Sequence, residues 1–235
     1  MYEAVVLGFG LVISILSIWQ PIPYGRFQLD LPLQLPNQWY LFLVNLPALV
    51  ALLIAGEGFT SEELGLIAIL LFSFHFFLRA VFVPFIVSQI YTTDKKKVSL
   101  LTVLVIGTYN TFVGLMLGNM CKRITRSPEN FDIALIVAAV FCLLLNVYYD
   151  IYINYLRVHG EVKVNNMYVA PEEIAKLYSV LDYAGLTSPN YVFEILEWLL
   201  FTIVLWNIES VVYLLCTVLI LWIRAVAIQD WGINV

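Results

Sequence analysis

An amide and two carboxylates lie at the start of an apolar segment near the end of the chain. Residues 188–198 read S-P-N-Y-V-F-E-I-L-E-W, so that Asn190 is followed by Glu194 and Glu197. The three-residue spacing places both glutamates on one face of a helix. Carboxylates can move protons, and together with an amide they can read the hydrogen-bonding face of a ligand. The segment therefore predicts a polar site where an apolar helix begins.

Polar side chains also interrupt the other apolar segments, at mid-depth or nearer to one side of the predicted membrane. A charged side chain at the membrane centre costs at least about 2.5–3.5 kcal/mol, so it usually faces a partner or water. In one interpretation Arg79 and Arg224 form structural ion pairs. Asp150 and Glu194 would be their partners. In the other, the polar groups line a cavity that binds an anionic ligand, whose negative groups meet Arg79, Arg157 and Arg224. The polar set is Asn45, Arg79, Asn110, Asn146, Asp150, Arg157, Asn190, Glu194, Glu197 and Arg224.

Membrane helices must position these side chains. Of the 235 residues, 62% are hydrophobic and 12% are charged, whereas a soluble domain carries about 25% charged residues. A hydrocarbon core of roughly 30 Å needs about 20 apolar residues per helix. We predict an all-α polytopic membrane protein, with residues 1–235 in a single integral membrane domain. About seven spans are predicted, at residues 3–19, 39–55, 64–91, 98–120, 132–157, 192–206 and 210–229.

The connections between these spans are polar or rich in proline. The longest of them is predicted to hold a surface helix that begins at Pro171. Glu3 stands where a signal peptide would carry a basic residue, so residues 3–19 are expected to be a retained first helix. The connections are 21–38, 57–63, 94–97, 122–123 and 158–191.

Loop charges predict an orientation in the membrane. Cytoplasmic or matrix loops carry an excess of Lys and Arg, so the more basic side is the inner one. That side includes the C-terminus, which we expect in the cytosol or the matrix. The basic residues on it are Arg26, Lys95, Lys96, Lys97, Arg157, Lys163 and Lys176, against Lys122, Arg123 and Arg126 on the other side.

Several classes of function fit this sequence poorly. The net charge of −5 and the scattered basic residues argue against nucleic acid as a partner. The cysteines, at 121, 142 and 216, form no C-x-x-C pair and are expected to be buried thiols. His75 is expected to be packed and hydrogen-bonded, and with His159 alone in a loop no metal site is predicted. A channel or transporter is disfavoured because the chain lacks internal repeats.

Seven segments follow one another in the order of a known set of motifs. No single segment is decisive, but seven in register are specific. They are Pro23-Tyr24-Gly25-Arg26-Phe27; Trp39-Tyr40-Leu41 with Asn45-Leu46-Pro47-Ala48; His75-Phe76-Phe77-Leu78-Arg79; Thr108-Tyr109-Asn110; Asn146-Val147-Tyr148-Tyr149-Asp150 with Leu156-Arg157 and Gly160-Glu161; Pro189-Asn190-Tyr191 with Glu194 and Glu197-Trp198; and Ile223-Arg224-Ala225.

On these segments the chain resembles the steroid 5α-reductase family, which includes trans-2-enoyl-CoA and polyprenol reductases. The family consists of seven-helix membrane enzymes that transfer hydride from NADPH to a conjugated carbon–carbon double bond. The resemblance implies a family-like catalytic region at about 98–235. It also implies that NADPH-holding positions are occupied here by Arg79, Asn146, Asp150, Arg157, Asn190, Glu194 and Arg224, with Asn110 as a further candidate.

The chain departs from the family at the two positions that the resemblance assigns to proton donors. The steroid-reducing branch has Glu and Tyr there, and this chain has Asn45 and Phe76. Hydride addition builds negative charge on the substrate's carbonyl oxygen, so the site needs a donor. Phenylalanine cannot donate, and asparagine can hydrogen-bond but cannot deliver a proton. Loss of one such group typically costs about 10²–10⁴ in rate, so no intact catalytic residue is assigned.

We therefore favour a non-catalytic member of the family. It would serve as an accessory or structural subunit that contacts membrane lipids and other membrane proteins, with a nucleotide or lipid pocket retained or the NADPH site lost. The alternative is an active NADPH-dependent reductase of a steroid, enoyl-CoA or polyprenoid lipid, in which Tyr109, Tyr148 or Tyr149 donates the proton. Of these, Tyr109 on the fourth predicted helix is the first candidate for substitution. The resemblance implies the endoplasmic reticulum, and a complex subunit would also suit the mitochondrial inner membrane.

Overall fold

The computed structural model describes residues 1–19, 33–56, 63–90, 97–159, 163–164, 167–168 and 189–233. The surface helix predicted to begin at Pro171 lies outside the described residues. Within these ranges the chain is predominantly helical, because long apolar runs are separated by short polar stretches. Each predicted span coincides with helical structure to within a few residues. The helices are α1 (Tyr2–Trp19), α2 (Asn37–Ala55), α3 (Glu63–Phe77), α4 (Val83–Ile90), α5 (Leu100–Lys122), α6 (Asn130–His159), α7 (Pro189–Leu205) and α8 (Ile208–Ile233).

Four helical stretches of the described chain are long and apolar enough to cross a membrane. They are Glu63–Ile86, Leu100–Lys122, Asn130–Tyr152 and Ile208–Val226. Tyr2–Leu16 and Trp39–Ala55 are apolar but shorter. The predicted all-α polytopic fold is therefore confirmed, and the number of seven spans stays a prediction.

A π-helical turn, Leu78–Phe82, joins α3 to α4 without a break. The backbone N–H of Val83 donates to the carbonyl of Leu78, five residues earlier. Pro84 has no N–H, so the regular α-helical bond to the carbonyl of Ala80 cannot form. A wider turn accommodates that loss. Because Arg79 lies in this turn, the widening also affects the direction in which its side chain leaves the helix.

Two short antiparallel strand pairs accompany the helices. Strand β1 (Gln34–Pro36) pairs with β2 (Lys97–Ser99), with Leu35 opposite Val98. Strands β3 (Lys163–Val164) and β4 (Met167–Tyr168) form the second pair. The first pair ties the chain before α2 to the chain before α5, and the apolar pattern of the sequence does not indicate either pair.

Helices α2 and α5 form the most extensive helix pair of the described bundle. Gly114 and Gly118 of α5 face the backbone of α2 at Ala48 and Leu52. A Cβ atom at Gly118 would lie 2.6 Å from the carbonyl oxygen of Leu52, closer than a real Cβ atom is found. Glycines four residues apart allow two membrane helices to approach closely. The sequence G-L-M-L-G thus brings α5 directly onto α2.

An aromatic cluster fills the core between α3, α7 and α8. The rings of Phe72 and Trp198 are 5.5 Å apart, and Tyr213 meets Trp198 edge-on at 4.3 Å. Phe201 packs edge-on against Phe72. All four side chains are buried. This cluster fixes the distance between α3 and α7, the two helices that carry the pair of buried polar groups described below.

Candidate functional site

Arg79 forms the centre of a hydrogen-bonded ionic cluster between three helical elements. Its Nη1 donates to the carboxylate of Asp150 on α6, and its Nη2 donates to the carboxylate of Glu194 on α7. The same Nη2 donates to Oδ1 of Asn146 at 3.1 Å. One guanidinium is therefore shared by two carboxylates and one amide. The predicted structural ion pairs are confirmed for Arg79.

Two amides complete this cluster, which we call the Arg79 network and which consists of Arg79, Asn146, Asp150, Asn190 and Glu194. Asn190 donates to Oδ1 of Asp150 at 2.6 Å, and Asn146 donates to Oε2 of Glu194 at 3.4 Å. Asn146 and Asp150 are four residues apart on α6, so both reach the same neighbours. The side chains of Arg79, Asp150 and Glu194 are only 15–17% exposed. Low exposure makes each of these bonds expensive to lose.

A second polar contact joins α7 to α3, one turn further along. Nδ1 of His75 lies 2.8 Å from Oε1 of Glu197, and both side chains are almost completely buried. The His75 ring also packs edge-on against Trp198, at 4.9 Å. The prediction that His75 is packed and hydrogen-bonded is confirmed. Glu194 and Glu197 both face the helix that runs from α3 into the π-helical turn, as their spacing predicts.

The remaining candidates for cofactor binding divide into three cases. Arg224 is half-buried on α8, and its Cζ lies 5.9 Å from the ring centre of Tyr191, which follows Asn190 directly. Asn110 lies elsewhere, because its amide donates to the carbonyl of Val44 at 2.7 Å and links α5 to α2. Arg157 belongs to the end of α6, and its side chain lies outside the described residues.

The two positions expected to have lost their proton donors are both engaged in packing. Asn45 donates its amide to the carbonyl of Leu41, one turn earlier on its own helix, at 2.8 Å. Phe76 is 2% exposed and belongs to the main apolar core. Its ring packs edge-on against His75 at 5.3 Å. These contacts give α2 and α3 local stability, and neither of them presents a proton to a ligand.

The three tyrosines considered as replacement donors lie in different environments. Tyr109 is buried and stacks on Phe9 at 6.3 Å, in the contact between α1 and α5. Tyr148 is half exposed on the surface of α6. Tyr149 is buried, stacks on Phe193 at 5.5 Å and directly precedes Asp150. Of the three, Tyr149 is adjacent in sequence to the Arg79 network.

A second group of ionic side chains, outside the site predicted from the sequence, lies at the other end of the bundle. Arg126 makes a two-point contact with Asp132, at 2.5 and 3.1 Å, and donates to the carbonyl of Val204 at 2.6 Å. The hydrogen bond to Asp132 raises the pKa of the Arg126 guanidinium. Arg123 donates to the carboxylate of Glu209. The signal was the position of Asp132 and Glu209 in the first turns of α6 and α8, where carboxylates favour the helix dipole.

The chemistry of the Arg79 network suits a dinucleotide in part. Carboxylates and amides such as Asp150, Glu194 and Asn190 can bond ribose hydroxyls or a carboxamide. A phosphate group needs a cation, and Arg79 is already shared by two carboxylates. Arg224 lies beside Tyr191, next to this network, and is the cation that would meet a phosphate there. Within the described ranges, no group of three or more His, Cys, Asp or Glu side chains is placed to hold a metal ion.

A family model matches the second half of the chain and part of the first. The family model described as 3-oxo-5-alpha-steroid 4-dehydrogenase matches residues 95–234, more than half of the chain. The matched range includes α5 to α8, and so all of the Arg79 network except Arg79 itself. No curated protein matches the chain.

Proposed function

The chain belongs to the 3-oxo-5-alpha-steroid 4-dehydrogenase family, and from that premise we propose that it is a non-catalytic member that acts as an accessory or structural subunit of a larger membrane complex. It is an integral membrane protein with the polytopic helical fold of that family. The observation that carries the proposal is a pair of positions without a free proton donor: the ring of Phe76 is buried, 2% exposed, and the Asn45 amide bonds its own helix.

The chemical reason is the proton that ene reduction requires. When hydride adds to a double bond conjugated with a carbonyl, negative charge builds on the carbonyl oxygen and must be met by a donor. Phe76 has no donor group. Asn45 offers at most an N–H, and that N–H is used on the Leu41 carbonyl. With both positions changed, the expected rate falls by at least about 10²–10⁴.

The Arg79 network keeps a structural role in such a protein. It joins the π-helical turn, α6 and α7 through charge-assisted hydrogen bonds. A nucleotide or lipid pocket is compatible with it. NADPH, when bound, would supply a hydride, and Asp150, Asn190 and Glu194 would hold its polar edge while Arg224 meets a phosphate. The same side chains would hold a phosphorylated lipid by the same chemistry.

One observation favours a second candidate, an active NADPH-dependent reductase of a conjugated double bond in a steroid, enoyl-CoA or polyprenoid lipid. Five of the eight positions that the resemblance assigns to the cofactor form the Arg79 network. A scaffold that keeps this network needs only one new donor. Tyr149, buried beside Asp150, is the first residue to test for that role.

Activity and association together test the proposal. The protein is extracted in a mild detergent, and its attached proteins and small molecules are identified by mass spectrometry. The same sample is then incubated with NADPH and an enone steroid or an enoyl-CoA. We expect a stoichiometric membrane partner and no NADPH-dependent loss of substrate. Turnover that is abolished in Glu194→Gln and Tyr149→Phe, but not in the exposed control Glu129→Gln, would establish the reductase instead.

A gain-of-function variant sharpens the test. Asn45→Glu together with Phe76→Tyr restores the residue types that the steroid-reducing branch carries at these positions. If the missing donors are the cause of inactivity, the double variant reduces substrate at a rate at least about 10²-fold above the parent. Equal rates in parent and variant would show that the cofactor pocket, rather than the proton donors, is lost.

The membrane that houses the protein follows from this choice. A reductase would reside in the endoplasmic reticulum, the usual location of the family, whereas a complex subunit also suits the mitochondrial inner membrane. In either case we place the C-terminus on the cytosol or matrix side, from the excess of Lys and Arg in the loops of that side. Fractionation of the organelles with an epitope tag at the C-terminus and a protease-protection assay checks both assignments.

A further inference from the structure

The end of the bundle that carries Arg123 and Arg126 contains a cavity of about 250 Å³. It lies where α5 ends, α7 ends and α8 begins, and its lining includes Arg123, Arg126, Thr125 and Glu209 as polar groups. The apolar span Leu100–Lys122 ends at this level, and the span Ile208–Val226 begins there. A cavity at the ends of apolar spans lies in the headgroup region of a bilayer, where arginine and tryptophan are common anchors.

The two arginines of this cavity are held in place and still have donors to offer. Arg126 is fixed by Asp132 and by the carbonyl of Val204. Arg123 uses Nη2 on Glu209 and Nε on the carbonyl of Asn119, while its side chain is 62% exposed. A guanidinium has five N–H donors. Within the part of the chain that the structure describes, Nη1 of Arg123 and Nε of Arg126 make no hydrogen bond, although the Glu3 carboxylate also lies 4.0 Å from Nη2 of Arg123. These donors leave each arginine able to bond an additional anion.

Exposed apolar side chains surround the same end of the bundle. Trp206 is 80% exposed, Ile208 62% and Phe131 67%. Trp206 also has a φ of 40°, in the left-handed region that a tryptophan rarely adopts. The turn between α7 and α8 therefore accepts an unfavourable backbone conformation while its indole ring faces outward. An indole ring in that position suits the boundary between headgroups and acyl chains.

We propose that this cavity binds the headgroup of a phospholipid, with the phosphate between Arg123 and Arg126 and the acyl chains along Trp206 and the neighbouring apolar helix surface. The polar and apolar parts of the site lie side by side, as the two parts of a phospholipid do. Each arginine is already paired with a carboxylate, Arg123 with Glu209 and Arg126 with Asp132. The lining therefore carries little net positive charge, and a zwitterionic headgroup such as phosphoethanolamine fits better than one with a net negative charge.

Native mass spectrometry of the detergent-solubilised protein tests this site. Phosphatidylethanolamine is added, and diacylglycerol with the same acyl chains serves as the lipid without a phosphate. Inorganic phosphate in excess distinguishes a site for free anions from a lipid site. We expect retention of phosphatidylethanolamine, little retention of diacylglycerol and no displacement by phosphate. Equal retention of both lipids would overturn the proposal, and displacement by phosphate alone would reduce it to an anion site.

The variants separate binding from folding. Arg123→Gln leaves the buried Glu209 carboxylate unpaired, so it is combined with Glu209→Gln. The control is Lys122→Gln, which removes a positive charge from an exposed neighbour at the same helix end and so shows whether charge at this helix end alone affects binding. We expect about tenfold weaker lipid binding in the double variant, on the order of one charge-assisted contact, and unchanged binding in the control. Equal binding in the two, with equal unfolding temperatures, would contradict the proposal.

Discussion

Helices α2 and α5 meet through glycine and backbone, whereas the π-helical turn meets α6 and α7 through charges. In the first contact Gly114 and Gly118 lie against the main chain of Ala48 and Leu52, so the fit depends mainly on shape. In the second, Arg79 holds carboxylates from two other helices. A steric contact tolerates no added atom, and an ionic contact tolerates no missing partner. The two regions are therefore sensitive to opposite kinds of substitution.

The largest effect is expected at Arg79. Arg79→Met leaves Asp150 and Glu194 as unpaired carboxylates, each about 15% exposed, and removal of one partner from a buried pair costs about 3–5 kcal/mol. The unfolding temperature in detergent should fall steeply. The triple variant Arg79→Met, Asp150→Asn, Glu194→Gln removes all three charges and should recover most of the loss. If the single and the triple variant have the same unfolding temperature, this contact does not depend on charge balance.

An intermediate effect is expected at the glycines. Gly114→Ala places a methyl group against the backbone of Ala48. Backbone atoms cannot move aside as the end of a flexible side chain can. Overpacking of this kind costs about 1–3 kcal/mol. Gly8→Ala is the matched control, because nothing lies within 4 Å of a Cβ atom at Gly8. Thermal unfolding of the two variants at low and high salt checks the comparison, since the loss at Gly114 should not depend on salt.

The smallest effect is expected where one neutral hydrogen bond joins α5 to α2. Asn110→Ala removes the bond to the Val44 carbonyl, and such bonds between membrane helices average about 0.6 kcal/mol. The control is Asn119→Ala, whose amide bonds the carbonyl of Leu115 on the same helix. A loss at Asn110 as large as that of Gly114→Ala would mean that this contact depends on polarity after all.

The sequence predicts the helices well because the membrane imposes a simple rule on them. An apolar run of sufficient length becomes a helix that satisfies its own backbone, whatever surrounds it. The burial of His75 and the shared face of Glu194 and Glu197 followed in the same way, from local spacing and from the cost of an exposed charge in lipid.

The partners of the polar groups could be narrowed but not assigned from the sequence. Asp150 and Glu194 were both reasonable partners for Arg79, and the structure shows that it holds both. Arg79 is 71 residues from Asp150 and 115 residues from Glu194 along the chain. Which side chains meet over such separations depends on how the helices pack, and one sequence contains no direct record of that.

Two further features of the fold were not predicted, although the sequence carries a local signal for each. The spacing of Gly114 and Gly118 is a known pattern for close helix contact, and Pro84 within an apolar helix indicates an irregular turn. The strand pair of β1 and β2 gave no such signal, because each strand has only three residues and its partner is distant in the sequence.

The wide turn at Leu78–Phe82 has a consequence for the order of faces along this helix. Each residue of an α-helix advances the side chain by about 100°. Deleting a single residue here would restore regular winding and rotate α4 by about that angle relative to α3. His75 would still meet Glu197, but Val83 would turn away from Leu143 and Val147, with which it shares a buried apolar cluster. The extra residue of the π-helical turn thus lets one continuous helix contact α7 with its first half and α6 with its second.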